Sequence, residues 1–129
     1  DTFSDRLIFF LFHFGFFLVV FKKNTEKKIL QEIYDCNFKQ LELSIREMGY
    51  GDIAINKKMK NYINIFHTIL NKIENWENLS DFEKSKILSN FLNINEVKPN
   101  LIDYFNKYLL NLTNNTLNYY TKGVIKPKF

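Results

Sequence analysis

A group of charged residues and glycines lies in the middle of the chain, in the stretch SIREMGYGDIAINKKMK from Ser44 to Lys60. It holds one of the two arginines of the sequence, with carboxylates on either side of it. An arginine and neighbouring carboxylates at a chain reversal can form ion pairs with charge-assisted hydrogen bonds, and glycine permits the backbone conformations of a tight turn. The residues of this predicted corner are Arg46, Glu47, Gly49, Gly51, Asp52, Lys57 and Lys58.

Two interpretations of the corner remain open from the sequence. In the first, ion pairs and capping contacts only set the angle between two long helices. In the second, the exposed edge of the corner, with Lys57 and Lys58, also docks a partner. Lysines in such a position can in addition meet anionic lipid head groups.

Residue patterns for catalysis or metal binding are not found. His13, His67 and Cys36 lack metal-ligand spacing, and each histidine is predicted to lie at a helix surface or core edge. Haem ligation by His13, which is surrounded by aromatic residues, is an alternative. There is no glycine-rich phosphate loop, nucleophile elbow or HExxH motif. We therefore expect no enzyme activity, no metal and no cofactor.

The composition predicts an all-α protein. The chain has 129 residues, of which 46% are hydrophobic and 17% aromatic, with only four glycines and two prolines. This favours a single-domain bundle of five to six helices over residues 1–129. A single cysteine excludes an intramolecular disulfide framework and favours a reducing compartment. A net charge of +4 permits anionic partners.

The most apolar run is LIFFLFHFGFFLVVF, from Leu7 to Phe21. As a helix it would span roughly 22 Å, which is less than the ~30 Å hydrocarbon core of a bilayer. Three interpretations remain open: a buried core helix, a helix partly exposed to a membrane or an apolar partner, and a true membrane span. The chain begins with Asp1, so we expect a processed or truncated product.

A second, amphipathic helix is predicted from about residue 26 to residue 48. Thr25 is its predicted N-cap, and Gly49 is predicted to end it in a left-handed conformation. The segment Tyr50 to Ile55 is then predicted to be a connector in which Gly51 is free to adopt positive φ.

A third helix is predicted to begin after Asn56, as its N-cap, and to run to about Trp76. Lys57, Lys58 and Lys60 would then lie in its first turn. Cations at that end oppose the helix dipole, so this placement contradicts local preference.

Later segments carry clear helix signals. Ser80 and Glu83 form a capping-box pattern for a fourth helix that ends near Asn93. Pro99 is suited to the first turn of a fifth helix. The segment Thr113 to Thr116 is predicted to break it, before a short last helix to Lys122 and an extended tail.

Four segments resemble the ubiquinol–cytochrome c chaperone family, whose members are assembly factors of the cytochrome bc1 complex in alphaproteobacteria and mitochondria. The most specific is LSIREMGYGDIAINKKMKNYINIFHTIL, from Leu43 to Leu70, which has the R-E-M-G helix end, the G-D turn and the lysine pair of the family. DTFSDRLIFFLFHF, LSNFLNINEVKPNLIDYFNKYL and TKGVIKPKF resemble the first helix, a later helical pair and the Gly-then-Pro ending.

The resemblance implies a helical, non-enzymatic chaperone. Its client would be newly made cytochrome b, held at the inner membrane on the cytoplasmic side in a bacterium or the matrix side in a mitochondrion. A small assembly partner and the ribosome are further implied partners, whereas direct nucleic-acid binding is not expected. The phenylalanines of the first helix would supply an apolar client surface, with core packing as the alternative: foremost Phe9, Phe12 and Phe16, and also Phe10 and Phe17.

Two other functions remain open. A peripheral membrane protein with an interfacial first helix would bind anionic vesicles without a cytochrome b client. A basic helical protein associated with RNA or the ribosome would bind RNA with a strong dependence on salt.

Overall fold

The structure is a computed structural model that describes residues 2–114. Within this range the chain forms five α-helices and one short 3₁₀-helix, with no strand. The all-α prediction is confirmed. The helices are α1 (Thr2–Phe21), α2 (Lys27–Glu47), α3 (Asp52–Ile73), α4 (Asp81–Leu92) and α5 (Pro99–Asn114), with the 3₁₀-helix at Trp76–Asn78.

The phenylalanine-rich α1 is the central helix of the bundle. Phe14 stacks on Phe66 of α3 at 5.2 Å between ring centroids, and Phe16 packs on Phe105 of α5 at 5.5 Å. Gly15 permits the close approach of α1 and α3, because a Cβ atom there would lie 3.0 Å from Ile73 Cδ1. Burial of one helix against several others explains why its sequence is apolar on nearly every side.

By length and composition alone, α1 could cross a membrane. The window Phe3–Phe21 has a mean hydropathy of 1.8, and 33% of it is buried inside the structure. Leu11, Phe12 and Phe16 have no exposed surface. The burial of these three side chains favours the buried core helix among the three interpretations of the apolar run.

The helices α2 and α3 form an antiparallel hairpin. Phe38 packs edge-to-face on Phe66 at 5.4 Å, and Tyr34 contacts His67 further from the turn. The helix α2 buries only three residues, Phe38, Leu41 and Ile45. It is therefore held mainly through one apolar face, as the amphipathic pattern predicted.

The ends of α2 and α3 correct three sequence predictions. The N-cap of α2 is Glu26 rather than Thr25, without a side-chain capping bond. Gly49 has the predicted positive φ, +94°, whereas Gly51 has φ −78° and is the N-cap of α3. The predicted connector is mostly helix, because Ile55 N donates to Gly51 O at 2.9 Å and the Ile55 side chain is fully buried.

The earlier start of α3 removes the conflict with the helix dipole. Asp52 lies in the first turn, where a carboxylate is favourable. Asn56 is an interior helical residue and not the predicted N-cap. Lys57 and Lys58 lie in the second turn, where the dipole has less effect.

The second half of the described chain follows the sequence more closely. The capping box of Ser80 and Glu83 is present, and α4 ends at Asn93 in the left-handed conformation. Between α4 and α5, Asn106 Oδ1 accepts hydrogen bonds from Trp76 Nε1 at 2.9 Å and Lys84 Nζ at 3.0 Å. The predicted short last helix and extended tail lie outside the described residues.

Candidate partner-binding site at the helical corner

An arginine joins the two helices at the predicted corner. Arg46 Nη1 lies 2.6 Å from Asp52 Oδ1 across the turn, and Arg46 Nη2 lies 3.3 Å from Glu42 Oε1 one turn back on α2. The predicted network is thus present for Arg46 and Asp52. The Glu47 side chain has no hydrogen bond or ion pair with any residue in 2–114, and Glu42 takes its place because side chains four apart share a helix face.

The ion pairs at the corner lie in solvent. The Asp52 side chain is 79% exposed and that of Arg46 is 46% exposed. Hydrogen bonds from Arg46, first to Asp52 and then to Glu42, raise the pKa of the guanidinium above its ordinary value. Arg46 is therefore charged at every ordinary pH, and salt screens its contacts.

A mixed apolar and basic surface extends from the corner. Lys58 Nζ lies 4.6 Å from the centre of the Tyr50 ring, a cation–π distance. Ile53 is 88% exposed and Met48 is 49% exposed. We define the corner surface as Met48, Tyr50, Ile53, Lys57 and Lys58.

The sequence pattern indicates the lysines of this surface but not the exposure of Met48 and Ile53. A signal for Ile53 was available. The buried residues of α3 are Ile55, Tyr62, Phe66, Ile69 and Ile73. Ile53 is only two residues before the first of them, so it projects to a different side of the helix.

The three phenylalanines predicted to form an apolar client surface are placed mainly in the core. Phe12 and Phe16 have no exposed surface, because α1 is covered by α4 and α5 at these positions. Phe9 is half-buried against Tyr104 and Phe105. In this conformation Phe12 and Phe16 are core residues and do not contribute to an outer surface.

Phe10, on the same helix, is exposed by 42%. It lines a groove of about 450 Å³ between α1 and α2, near the corner end of the hairpin. Phe3, Leu7 and Leu41 supply further apolar walls, and Arg6 lies at the rim.

The two histidines have hydrogen-bond partners on their ring nitrogens. His13 Nδ1 lies 2.8 Å from the Phe9 carbonyl oxygen and must donate to it, because that oxygen only accepts. In the neutral ring, Nε2 then accepts from the Tyr104 hydroxyl at 2.6 Å. Haem ligation by His13 would have to break that bond. His67 Nε2 lies 3.2 Å from the Tyr34 hydroxyl.

Metal-ligand clusters are not found in the part of the chain that the structure describes. Between residues 2 and 114 no group of three or more His, Cys, Asp or Glu side chains could hold an ion. Cys36 is exposed on α2.

Comparison with known proteins gives one match. The family model described as Ubiquinol-cytochrome C chaperone matches residues 1–108, which include α1 to α4 and much of α5. The ending TKGVIKPKF lies beyond the matched residues. No curated protein and no solved structure matches the chain. Since the match spans well over half of the sequence, the chain belongs to the ubiquinol–cytochrome c chaperone family.

Proposed function

We propose that this protein binds newly made cytochrome b and holds it during assembly of the cytochrome bc1 complex. The proposal rests on the family match over residues 1–108, because the family is one of chaperones for assembly of this complex. The proposed place is the inner membrane, on the cytoplasmic side in a bacterium or the matrix side in a mitochondrion. A small assembly partner and the ribosome are proposed as further contacts.

The groove between α1 and α2 supports a client-binding role. Its volume is about 450 Å³, and its apolar walls are Phe3, Leu7, Phe10 and Leu41, beside a polar part formed by Arg6, Asn37, Gln40 and Ser44. An apolar segment of a membrane protein gains free energy when it leaves water for such a surface, at about 25 cal/mol per Å² buried. We therefore place the client contact at this groove and take Phe10 as its most accessible aromatic residue.

A pull-down tests this function. The tagged protein is recovered from detergent-solubilised membranes, and the eluate is probed with an antibody to cytochrome b and by haem absorption spectra. Phe10→Ala is compared with Phe82→Ala, because Phe82 is also an exposed phenylalanine, at 76%, but lies on α4. We expect less cytochrome b with Phe10→Ala and an unchanged amount with Phe82→Ala.

Other outcomes would support a different function, or a client contact at a different place on the protein. If the wild-type protein recovers no cytochrome b but binds anionic vesicles, it is a peripheral membrane protein without this client. If it recovers RNA and the recovery falls steeply with salt, the RNA-associated function is supported instead. If both phenylalanine variants lose cytochrome b equally, the client contact is not at the groove.

A further inference from the structure

Exposed apolar side chains are concentrated at the corner. Among the described residues, ten large hydrophobic side chains are exposed, and four of them lie between residues 43 and 53. They are Leu43, Met48, Tyr50 and Ile53, with Ile53 the most exposed of the ten at 88%. Single exposed apolar residues are ordinary, whereas several at one place mark an interaction surface.

Basic side chains accompany these apolar residues. Ile53, Lys57 and Lys60 are spaced four and three residues apart on α3, so they lie on one face of the helix. Between residues 42 and 60 there are four basic and three acidic side chains. Two of the acids, Glu42 and Asp52, are bound by Arg46, which leaves Glu47 as the one acid of this segment that does not pair with Arg46, against three lysines.

We propose that the corner surface docks onto an anionic lipid bilayer. Ile53 and Met48 enter the interface, and Lys57 and Lys58, together with the neighbouring Lys60, contact lipid phosphates. The inference rests on the proposed location at the inner membrane and names the part of the protein that meets it. It is distinct from the groove that is proposed to hold the client.

The shape and chemistry of the corner favour a bilayer over other partners. The apolar side chains are exposed at the end of a hairpin, so they are suited to a soft, flat partner. Tyr50 has an apolar ring with a polar tip, and Lys58 lies over that ring. This combination is typical of residues at a membrane–water interface. An RNA phosphate backbone would attract the lysines but would offer nothing apolar to Ile53.

Vesicle co-sedimentation of the purified protein tests the proposal. Vesicles of phosphatidylcholine alone are compared with an equimolar mixture of phosphatidylcholine and phosphatidylglycerol. We expect binding only to the anionic mixture, with a decrease as salt is raised. Ile53→Ser should weaken the binding about tenfold. Combined Lys57→Gln, Lys58→Gln and Lys60→Gln should weaken it roughly a hundredfold.

Matched controls separate the corner from general charge and apolar effects. Phe82→Ser removes an exposed apolar side chain from α4, and combined Lys86→Gln, Lys98→Gln and Lys107→Gln removes the same charge elsewhere. Both controls should bind as the wild type does, and circular dichroism checks that every variant is helical. Equal losses in the corner variants and the controls would overturn the proposal.

Three other results would also overturn the proposal. They are equal binding to neutral vesicles, binding unaffected by the corner variants, and corner variants that weaken binding to single-stranded RNA but not to vesicles. Absence of vesicle binding with intact recovery of cytochrome b would remove the lipid surface and leave the chaperone function standing. Vesicle binding without recovery of cytochrome b would support the lipid-binding surface and contradict the proposed chaperone function.

Discussion

Arg46 Nη1 and Asp52 Oδ1 lie 2.6 Å apart across the turn between α2 and α3, although both side chains are exposed to solvent. The pair joins the last turn of one helix to the first turn of the next. Surface ion pairs contribute little individually. Because Asp52 lies in the first turn of α3, its carboxylate also interacts favourably with the dipole of that helix.

Asp52→Ala should therefore loosen the corner slightly. We expect a decrease in Tm of at most a few degrees, because an exposed pair and a dipole contact are lost together. Thermal unfolding followed by circular dichroism measures it. Glu47→Ala is the matched control, since Glu47 has no ion pair among the described residues, and it should leave Tm unchanged.

The same Asp52→Ala variant tests the two interpretations of the corner. If the network is only structural, Tm falls while recovery of cytochrome b in the pull-down is retained. If the corner also docks a partner, that recovery falls too. A variant that keeps both its Tm and its cytochrome b recovery would contradict both interpretations.

Asn106→Ala should destabilise the packing of α4 and α5. The Asn106 side chain accepts from both Trp76 and Lys84, and Lys84 is only 7% exposed. Its removal leaves two donors without their acceptor, at a cost of about 2–4 kcal/mol in the free energy of unfolding. Urea unfolding measures the change against Asn61→Ala, an exposed asparagine on α3 that should change stability by about 0.5 kcal/mol or less. Equal effects of the two substitutions would show that the shared acceptor is unimportant.

Gly15→Leu should separate α1 from α3. A Cβ atom at this position would be in van der Waals contact with Ile69 and Leu70 and closer than that to Ile73, so a large side chain overpacks the contact and costs about 1–3 kcal/mol or more. Gly15→Ala should be nearly neutral, because its gain in helix propensity of about 1 kcal/mol offsets the pressure on the movable end of Ile73. Urea unfolding of the two variants compares these costs, and a Gly15→Leu protein as stable as Gly15→Ala would refute the close packing.

The raised pKa of Tyr34 predicts that the protein loses stability at alkaline pH. Burial, and secondarily the charge of Asp35, raise the pKa of the Tyr34 hydroxyl above its ordinary value of 10.0. The folded state holds this proton more tightly than the unfolded state does, so the contribution to stability is full below pH 10 and is lost as pH rises through the folded pKa. Tyr34→Phe should show a shallower fall in Tm between about pH 9 and pH 11. Parallel curves for the two proteins would exclude this contribution.

Local signals in the sequence were sufficient for much of the fold. The capping box of Ser80 and Glu83, the left-handed Gly49 and the start of α5 at Pro99 each depend on a few neighbouring residues, and each is present. The start of α3 was misplaced, because the glycines and Asp52 resemble a longer turn. Burial of Ile55, which depends on the neighbouring helices, draws residues 52–55 into the helix.

Periodicity, capping and short-range spacing were enough to predict the helical class, most helix ends and the Arg46–Asp52 pair at the corner. Tertiary structure decided which phenylalanines of α1 are covered. Phe12 and Phe16 are buried whereas Phe10 is not, although all three lie in one apolar run. A run that is apolar on every side carries no information about direction, so its orientation depends on the helices that pack around it. The same packing leaves Ile53 in solvent beside the lysines and makes the corner a surface with both apolar and basic character.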